Sequence, residues 1–413
     1  MSELSKRSGG DIQVAGAAPV ARHGRLKRSA AWKAVLAFVG GALAVVLVAG
    51  SSVAAITVWQ LQNNIDVVAI DADQHGPPPP IGEYEGGFNI LLIGSDTRDG
   101  QDGIGGKETA VLNDVNMLLH VAADQKSAVL VSIPRDTVVP LPRCEHGGPA
   151  TGEPINTALY YGGLPCAVLT VQNLTGLDIQ FAGLITFKGV IAMSDAIGGV
   201  DVCIDGPVVD PYSGIDLPSA GTWTLQGFDA LAFLRSRHGV GDGSDLGRIG
   251  SQQVFLSSLV RKLKSDGTLT DLGKLYSIAL AATQNIQLSA NFARPDTLVS
   301  IALVLKNIPL ENIVMVQYPG KTGGDGIFTG KVEPVKSVAN ALFAAIKADQ
   351  PIGLDANALE GAHGGSALDP NAPAPTGSPT PDPTASAEPA TETTVIPGLK
   401  GQNAATYTCS VHN

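Results

Sequence analysis

Three arginines lie close together in the stretch LAFLRSRHGVGDGSDLGRIGSQQVFL, namely Arg235, Arg237 and Arg248. A guanidinium group stays charged at any working pH, and its planar fork of donors matches phosphate oxygens two at a time. The chain is acidic as a whole, with a formal net charge of -11. A general basic character therefore does not explain these arginines, and we expect them to serve a local function. The cluster predicts a clamp for a phosphate or diphosphate. The alternative is a helix end whose arginines are solvated or paired with Asp242 and Asp245.

Two aspartates accompany short apolar runs earlier in the chain. Asp96 follows FNILLIG (88–94), and Asp114 precedes VNMLLHV (115–121). Ligands of open α/β sheets collect at the carboxyl ends of strands, and Mg²⁺ prefers carboxylate oxygens together with substrate phosphates. We therefore predict that the two aspartates hold Mg²⁺, or Mn²⁺ in its place, beside the arginines. The alternative is a pair of ordinary loop residues that form Asx turns.

A further arginine follows the third apolar run, SAVLVSI (127–133), in the motif SIPRD. Pro134 favours an extended exit from this strand, so Arg135 is expected to point from the same sheet edge as the aspartates. A buried ion pair with Asp136 or another acid is the alternative for this arginine.

The spacing of apolar residues predicts that strands alternate with helices. Besides the three runs above, strands are predicted at 180–187, 200–204 and 312–318, and helices at 156–175, 188–198, 226–234, 246–263, 296–306 and 333–347. Asp245 is expected at the N-cap of the helix 246–263. This alternation favours an α/β fold, in which a central β-sheet carries helices on both faces.

The N-terminal region predicts a membrane anchor. Residues 34–58 contain no charged side chain, and about 20 apolar residues suffice for a transmembrane helix. The basic tail 1–33 carries seven Lys or Arg, so the positive-inside bias places it in the cytoplasm and everything after residue 58 outside the membrane. An uncleaved anchor is favoured over a signal peptide because the apolar run is too long for one.

The remaining chain divides by composition. Residues 59–87 include four consecutive prolines and predict a stiff linker. The folded domain is expected at 88–350. Residues 351–413 form a tail in which the stretch from about 365 to 396, rich in Pro, Thr, Ala and Ser, is expected to be disordered. The final residues, which include Tyr407 and Cys409, are expected to dock back on the domain. The acidic balance disfavours a broad nucleic-acid-binding surface.

The four cysteines form no Cys-x-x-Cys pair and no zinc spacing. An even number in an exported domain suggests disulfides. Cys144 with Cys166, and Cys203 with Cys409, are the favoured pairs, but three connectivities are open. Buried free thiols are the alternative.

Several motifs occur in a defined order: SDTR, NDVNMLL, SIPRD, INTALYYGG and RSRHGVGDGSDLGRIGSQQ. With the predicted anchor, they resemble the LytR-CpsA-Psr family over roughly residues 88–265. The stretch 195–221 resembles its actinobacterial branch. The resemblance implies a central mixed β-sheet with helices on both faces and a hydrophobic pocket for a polyprenyl chain. It also implies a phosphotransferase, which moves a glycopolymer from a polyprenyl-diphosphate carrier onto peptidoglycan at the outer side of the cell membrane.

The resemblance also assigns roles to individual residues. It implies that Asp96 and Asp114 bind the metal. It implies that four arginines bind the diphosphate and are also catalytic: Arg135, Arg235, Arg237 and Arg248. Arg98 and Gln252 are implied to bind the diphosphate only.

Two positions depart from the family pattern. Ser251 stands where an arginine is common, and Pro154 where a lysine is frequent. A general base could be Asp96, Asp136 or Asp245, which the sequence does not rank. Two other activities stay open: a hydrolase that only cleaves the polyprenyl diphosphate, and a non-catalytic lipid-binding regulator of the envelope, which the missing arginine at Ser251 would favour.

Overall fold

A computed structural model describes residues 66–70, 86–96, 111–148, 152–265, 278, 281–282, 284–359, 366–369 and 393–413. The predicted tail 1–33, the predicted transmembrane helix 34–58, most of the linker and Arg98 lie outside these ranges. Within the described ranges, no helix combines the length and apolar character that crossing a bilayer requires.

The central element is an eight-stranded sheet. Its strands are β1 (Asp66–Val68), β2 (Phe88–Ser95), β3 (Asn113–Val121), β4 (Ala128–Ile133), β7 (Phe181–Thr186), β12 (Ile286–Ser289), β13 (Ile313–Gln317) and β19 (Gly401–Asn403). Their order across the sheet is β1-β12-β7-β2-β3-β4-β13-β19. The pairs β2–β3 and β3–β4 are antiparallel, whereas β2–β7 and β4–β13 are parallel. The predicted central mixed sheet is thus confirmed.

Alternating side chains of these strands build two separate cores. In β2, Leu91 and Ile93 belong to one apolar cluster, and Phe88 and Ile90 belong to the other. Such a period of two is what a sheet buried on both faces requires. Helices α1 (Ala158–Thr175) and α6 (Lys336–Lys347) cover the first face, and α4 (Asp245–Ser265) and α5 (Pro295–Asn307) cover the second. Each fully buried Leu or Ile contributes roughly 1.5–3 kcal/mol.

A second sheet packs on the other side of α4. It has the order β11-β8-β20-β17 and consists of β8 (Val200–Ile204), β11 (Gly221–Leu225), β17 (Ser366–Leu368) and β20 (Thr408–Ser410). The predicted strand 200–204 therefore belongs to this sheet and not to the central one. Helices α2 (Phe187–Ile197) and α3 (Phe228–Arg235) and the hairpin β9 (Val208–Asp210) and β10 (Ile215–Leu217) adjoin it. A third apolar cluster fills the space between β8, β9, α3 and α4.

Short strand pairs and 3-10 turns complete the described fold. They are β5 (Val138–Val139) with β6 (Glu153–Pro154), β14 (Gly320–Lys321) with β15 (Glu333–Pro334), β16 (Ile352–Gly353) with β18 (Thr394–Val395), and the turns Ile155–Thr157, Leu310–Asn312 and Gly326–Phe328. The helix predicted at 333–347 begins only at Lys336, because its first residues pair as β15.

The C-terminal segment corrects the predicted domain boundary at residue 350. Residues 393–413 return to the domain, where β19 extends the central sheet and β20 pairs with β8. Arg261 of α4 donates from Nη1 to the carbonyl oxygens of Ala404 (2.9 Å) and Thr406 (3.0 Å), and its guanidinium lies over the Tyr407 ring. The final residues therefore dock on the domain, as expected, and belong to it although they lie beyond residue 350. Most of the Pro-, Thr-, Ala- and Ser-rich stretch lies outside the described residues.

The cysteines adopt the favoured pairing. Cys144 joins Cys166 with a Cα–Cα distance of 5.7 Å, and Cys203 joins Cys409 at 4.4 Å. The second bond links β8 to β20, so it holds the C-terminal segment on the domain. The first bond lies beside a kink in α1 at Gly163, whose φ of +63° is one that residues with a side chain rarely adopt.

Candidate functional site

Three of the predicted site residues meet at one edge of the central sheet. Asp96 directly follows β2, Asp114 is the second residue of β3, and Arg135 follows β4 by two residues. Because β3 runs antiparallel to both neighbours, the end of β2 and the end of β4 lie beside the start of β3, with Ser95 opposite Asn113 and Asn116 opposite Ile133. The expected common edge is thus confirmed for all three.

Asn113 fixes this edge, a role that sequence reasoning missed. Its buried amide group donates to Asn116 Oδ1 and to the Ile155 carbonyl oxygen (3.1 Å), and its Oδ1 accepts from the Leu159 N–H (3.2 Å). These bonds tie the start of β3 to the start of α1. Buried amides that satisfy several partners at once hold a local structure rigidly, so Asp114 is presented from a fixed backbone. One indication of this role was present in the sequence, since Asn113 directly precedes the candidate metal ligand Asp114.

The arginines come from the turn between α3 and α4. Arg235 is the last residue of α3, and Arg248 lies in the first turn of α4. The N-cap of α4 is not Asp245, as predicted, but Ser244, whose Oγ accepts from the N–H groups of Leu246 and Gly247 (both 3.2 Å). A hydroxyl performs the capping there, which leaves the carboxylate of Asp245 for other partners.

Asp245 contacts three of the arginines, two through their guanidinium groups and one through its backbone N–H. Its Oδ1 lies 2.5 Å from Arg248 Nη2 and 3.5 Å from Arg237 Nη2, and its Oδ2 accepts from the Arg135 N–H at 3.3 Å. The alternative in which the arginines pair with a neighbouring acid is therefore correct for Asp245. Such pairing holds the guanidinium groups in place and does not exclude an anion, because each group has further donors.

Asp210 organises the same turn and was not predicted. Its Oδ2 accepts from Ser236 Oγ (2.9 Å), the Arg237 N–H (3.0 Å) and the His238 N–H (3.1 Å), and its Oδ1 accepts from the Tyr212 N–H (3.0 Å). Burial alone would raise its pKa, but these hydrogen bonds lower the pKa below the ordinary value. Asp210 is 1% exposed and lies in the apolar context GPVVDPYSG, which gave no sign of this role.

The arginines repel one another. The pKa of Arg237 is lowered mainly by burial and further by repulsion from Arg248 and Arg135. Burial also opposes the charge of Arg135, but attraction to Asp114, to Asp136 and to Asp245 raises its pKa overall. One of its nitrogens, Nη1, donates to Asp114 Oδ1, and Nε lies 3.6 Å from Asp136 Oδ2. A bound anion would relieve the repulsion around Arg237.

Arg248 carries an unmet buried donor. Only 5% of the residue is exposed, and its Nη2 donates to the Asp114 carbonyl oxygen at 2.9 Å. Its Nε is buried and has no hydrogen-bond partner among the described residues. An unsatisfied buried donor costs about 1–3 kcal/mol, and it is a common feature of ligand sites.

A cavity of about 440 Å³ joins these groups. Seven predicted residues line its polar part: Asp96, Asp114, Arg135, Arg235, Arg237, Arg248 and Gln252. Aliphatic, methionine and aromatic side chains line the rest, among them Leu92, Val115, Met117, Ile185, Phe187, Val190, Leu231, Leu234 and Leu256. The Arg235 guanidinium lies 4.4 Å from the centre of the Phe187 ring, and Gln252 Nε2 donates to the Leu234 carbonyl oxygen at 3.0 Å. One cavity thus combines a cationic part with an apolar part.

The carboxylates allow a test of the predicted metal. Asp210, which also lines the cavity, accepts four hydrogen bonds, and Asp245 is paired with Arg237 and Arg248. Asp96 and Asp114 line the cavity too, and Asp114 pairs with Arg135 through Oδ1, which leaves its Oδ2 as a potential ligand. Mg²⁺ is commonly bound by one or two carboxylates, and phosphates and water complete its shell. The two aspartates fit this requirement. Among the described residues, one group of three potential metal ligands lies close together, namely Cys203, Asp369 and Cys409. This group does not suit a metal, because its two cysteines form a disulfide bond.

The two departures from the family pattern lie away from the cavity. Ser251 is buried, and its Oγ lies 2.7 Å from Ser410 Oγ in β20. The position where an arginine is common therefore faces the C-terminal strand and does not line the cavity. Pro154 belongs to β6 and pairs with Val138. The support that Ser251 gave to a non-catalytic regulator is therefore removed.

Comparisons with known proteins agree with the motif order. The sequence profile of the LytR_cpsA_psr family matches residues 52–344. Among curated proteins, the chain is 32% identical to cell wall biosynthesis protein LcpA of Corynebacterium glutamicum, over 57% of this chain and 50% of that protein. It is 34% identical to the probable cell wall biosynthesis protein LcpB of the same organism, over 44% of each chain. The chain thus spans about half the length of these two relatives, which support the actinobacterial branch.

Other relatives have more specific names. The chain is 28% identical to the polyisoprenyl-teichoic acid–peptidoglycan teichoic acid transferase TagU of Bacillus licheniformis, over 54% of this chain and 66% of that protein. Among solved structures, the fold resembles TagV of B. subtilis (TM-score 0.53, 22% identity, 65% of this chain and 98% of that chain). It also resembles TagT bound to LIIa-WTA (TM-score 0.50, 20% identity, 68% and 98%). At these identities the structures establish the shared fold.

Proposed function

Because the chain belongs to the LytR_cpsA_psr family, we propose that it is a phosphotransferase that moves a glycopolymer from a polyprenyl-diphosphate carrier onto peptidoglycan. The observation that carries the proposal is the cavity, in which the arginine cluster adjoins apolar walls. A polyprenyl diphosphate is an amphiphile with the same two parts. The names of its relatives support the same reaction, since TagU is named as a teichoic acid transferase and TagT as bound to LIIa-WTA.

The proposed orientation follows from the lining. The diphosphate would lie against Arg237 and Arg248, whose guanidinium groups are partly desolvated and held by Asp245. Charge-assisted hydrogen bonds to phosphate are about twice as strong as neutral ones. The prenyl chain would lie along Leu92, Met117 and the other apolar residues, where each buried methylene contributes about 0.8 kcal/mol. No other orientation matches charge and apolar surface at both ends.

The reaction needs a hydroxyl group of peptidoglycan to attack the phosphorus that carries the sugar. A new P–O bond forms to the acceptor, the P–O bond to the bridging oxygen breaks, and prenyl monophosphate leaves with the bonding electrons. The product is a phosphodiester between glycopolymer and peptidoglycan. Negative charge develops on the phosphoryl and leaving oxygens, where Arg135, Arg237 and Arg248 would stabilise it.

Asp96 and Asp114 would hold Mg²⁺, which when bound would neutralise phosphate charge. The hydroxyl proton needs an acceptor. Of the three candidate bases, Asp245 is engaged with the arginines, and Asp136 does not line the cavity but contacts Arg135 and Lys331. Asp96 lines the cavity and is the proposed base, through the carboxylate oxygen that would not hold the metal.

The proposed setting is the outer side of the cell membrane, with residues 34–58 as an anchor. A lipid-linked substrate requires the protein to work close to a bilayer. The two disulfides suit an oxidising compartment.

The test is a transfer assay on the full-length protein in lipid nanodiscs. A prenyl-diphosphate glycan with labelled sugar is incubated with peptidoglycan sacculi and Mg²⁺. The proposal expects label in the sacculi through an acid-labile phosphodiester and an equal amount of prenyl monophosphate. Free sugar phosphate without labelled sacculi would instead identify a hydrolase, and carrier binding without turnover would identify a lipid-binding regulator.

Matched variants connect that result to the cavity. Arg237→Gln should abolish most of the transfer, because it removes one guanidinium from the polar part of the cavity. Arg143→Gln is the control, since Arg143 is exposed and does not line the cavity. Equal activities of the two variants would contradict the proposed clamp.

A further inference from the structure

An exposed aromatic pair lies beside the cationic part of the cavity. The rings of Tyr212 and His238 are 4.7 Å apart between centroids and tilted by 41°. Both residues line the cavity, and His238 directly follows Arg237. Tyr212 is nevertheless 80% exposed, the most exposed of the large hydrophobic and aromatic side chains in the described residues. An exposed aromatic surface that adjoins a charged cavity is a candidate binding surface for the part of a ligand that leaves the cavity.

The pair is held in place before any ligand arrives. The N–H groups of Tyr212 and His238 both donate to the carboxylate of Asp210, at 3.0 and 3.1 Å. The turn that carries Tyr212 is closed by N–H donors of Ser213 (3.2 Å) and Gly214 (2.8 Å) to the Asp210 carbonyl oxygen. The His238 carbonyl oxygen accepts from Asn413 Nδ2 at 3.0 Å. Aromatic side chains on a fixed backbone lose little entropy when they bind a partner.

We propose that the Tyr212–His238 pair is a stacking site for the first sugar ring of the donor, the pyranose attached to the diphosphate. This proposal rests on the proposed function and names the part of the substrate that the arginines do not bind. The face of an aromatic ring is negatively polarised and attracts the C–H groups on the apolar face of a pyranose. The sugar hydroxyl groups would stay in water, because the platform is open to solvent.

The position of the pair favours the sugar over the lipid. The apolar walls that suit a prenyl chain include the buried side chains of Met117 and Leu231, whereas Tyr212 lines the cavity where it is open to solvent. The aromatic pair instead adjoins Arg237 and the buried Asp210, with 60% of the His238 side chain exposed. A donor whose diphosphate lies on the arginines and whose chain points inward would extend its sugar toward this exposed side.

The experiment compares two probes of equal charge by calorimetric titration of the full-length protein. The sugar-free probe is geranylgeranyl diphosphate with a methyl ester on its terminal phosphate, and the sugar-bearing probe has N-acetylglucosamine in place of the methyl group. The wild-type protein should bind the sugar-bearing probe about three- to tenfold more tightly, as aromatic stacking implies. Tyr212→Ala should bind both probes equally, with unchanged affinity for the sugar-free probe. Tyr212→Phe should keep the preference, because it keeps the ring.

Tyr160→Ala is the matched control, since Tyr160 is also exposed and does not line the cavity. It should keep the wild-type preference. Tyr212→Ala is expected to fold, because its side chain lies mostly in water, and an unchanged unfolding midpoint checks this.

Several results would overturn the platform. Equal binding of both probes by the wild-type protein would reject it while leaving the diphosphate clamp intact, whereas binding of neither probe would reject the proposed function as well. Equal weakening of both probes by Tyr212→Ala would indicate a contact with the lipid or diphosphate. A preference that survives in Tyr212→Ala, while binding of a soluble muropeptide is weakened, would assign the ring to the acceptor glycan.

Discussion

Asp210→Asn should disturb the turn that carries Arg237 and His238. The substitution keeps size and shape but replaces one carboxylate oxygen with an NH₂ group. In the wild-type protein, Oδ2 accepts three hydrogen bonds and Oδ1 accepts one, all from groups between Tyr212 and His238. The best placement of the amide puts its oxygen at the Oδ2 position. Its NH₂ group then faces the Tyr212 N–H, so two donors meet.

The size of the effect follows from these contacts. One hydrogen bond is lost and leaves a donor without an acceptor, which costs about 1–3 kcal/mol. Three others change from charge-assisted to neutral bonds, which are about half as strong. Relief from burying a charge offsets part of the loss. We expect the unfolding free energy to fall by about 2 kcal/mol at pH 7, and the transfer rate by about 10- to 100-fold, because a shift of about 1 Å in a positioned group has such effects.

The pH dependence gives an independent check. Because the folded pKa of Asp210 lies below its ordinary value of 3.8, its charged form stabilises the fold above that value. This contribution is lost as the pH falls through the folded pKa. The difference in unfolding free energy between wild type and Asp210→Asn should therefore be constant from pH 8 to about 5 and shrink below about pH 4.

The assays are urea unfolding at several pH values and the transfer rate with the labelled donor. Asp216→Asn is the control, because Asp216 lies on the same hairpin but is exposed. If Asp210→Asn matched Asp216→Asn in both stability and rate, the assigned role of Asp210 would be refuted.

Three further predictions concern other parts of the domain. Arg248→Gln should lower the transfer rate by about 10² to 10³ relative to Arg143→Gln, because a charged donor to the reacting phosphate is lost, and a smaller loss in steady-state kinetics would contradict this role. Replacing Cys203 and Cys409 together by alanine should lower the unfolding free energy by about 2–5 kcal/mol, and an unchanged urea midpoint would show that the bond does not stabilise the domain. Burial lowers the pKa of His120 below 6.5, although Asp349 opposes this. As the pH falls below 6.5, His120 therefore takes up a proton more readily in the unfolded chain than in the folded one, and the unfolding free energy should decrease toward pH 5.5. Urea unfolding at pH 6.5 and pH 5.5 should show a smaller decrease in His120→Gln.

The sequence predicted those features that long periodic patterns encode. Strands such as β2 and β4 are apolar runs with clear ends, and helices such as α4 are long enough to show their type. Asp96, Asp114 and Arg135 could be placed at one edge because each adjoins the end of such a strand, and the cavity brings them together with Arg237 as expected.

Features that depend on distant contacts could not be predicted. Strands β19 and β20 have three residues each, too few for a pattern, and they exist because the central sheet and Cys203 offer partners. The N-cap is Ser244 and not Asp245, because the carboxylate of Asp245 pairs with arginines. The role of Asp210 depends on a turn more than 25 residues further along the chain, which no local signal reveals.

The most direct test of the proposed diphosphate clamp is an experimental structure with geranylgeranyl diphosphate bound. We predict phosphate oxygens about 3 Å from the guanidinium groups of Arg237 and Arg248, with the prenyl chain along Leu92 and Met117. A diphosphate bound elsewhere, or a prenyl chain that leaves the cavity past the arginines, would contradict it.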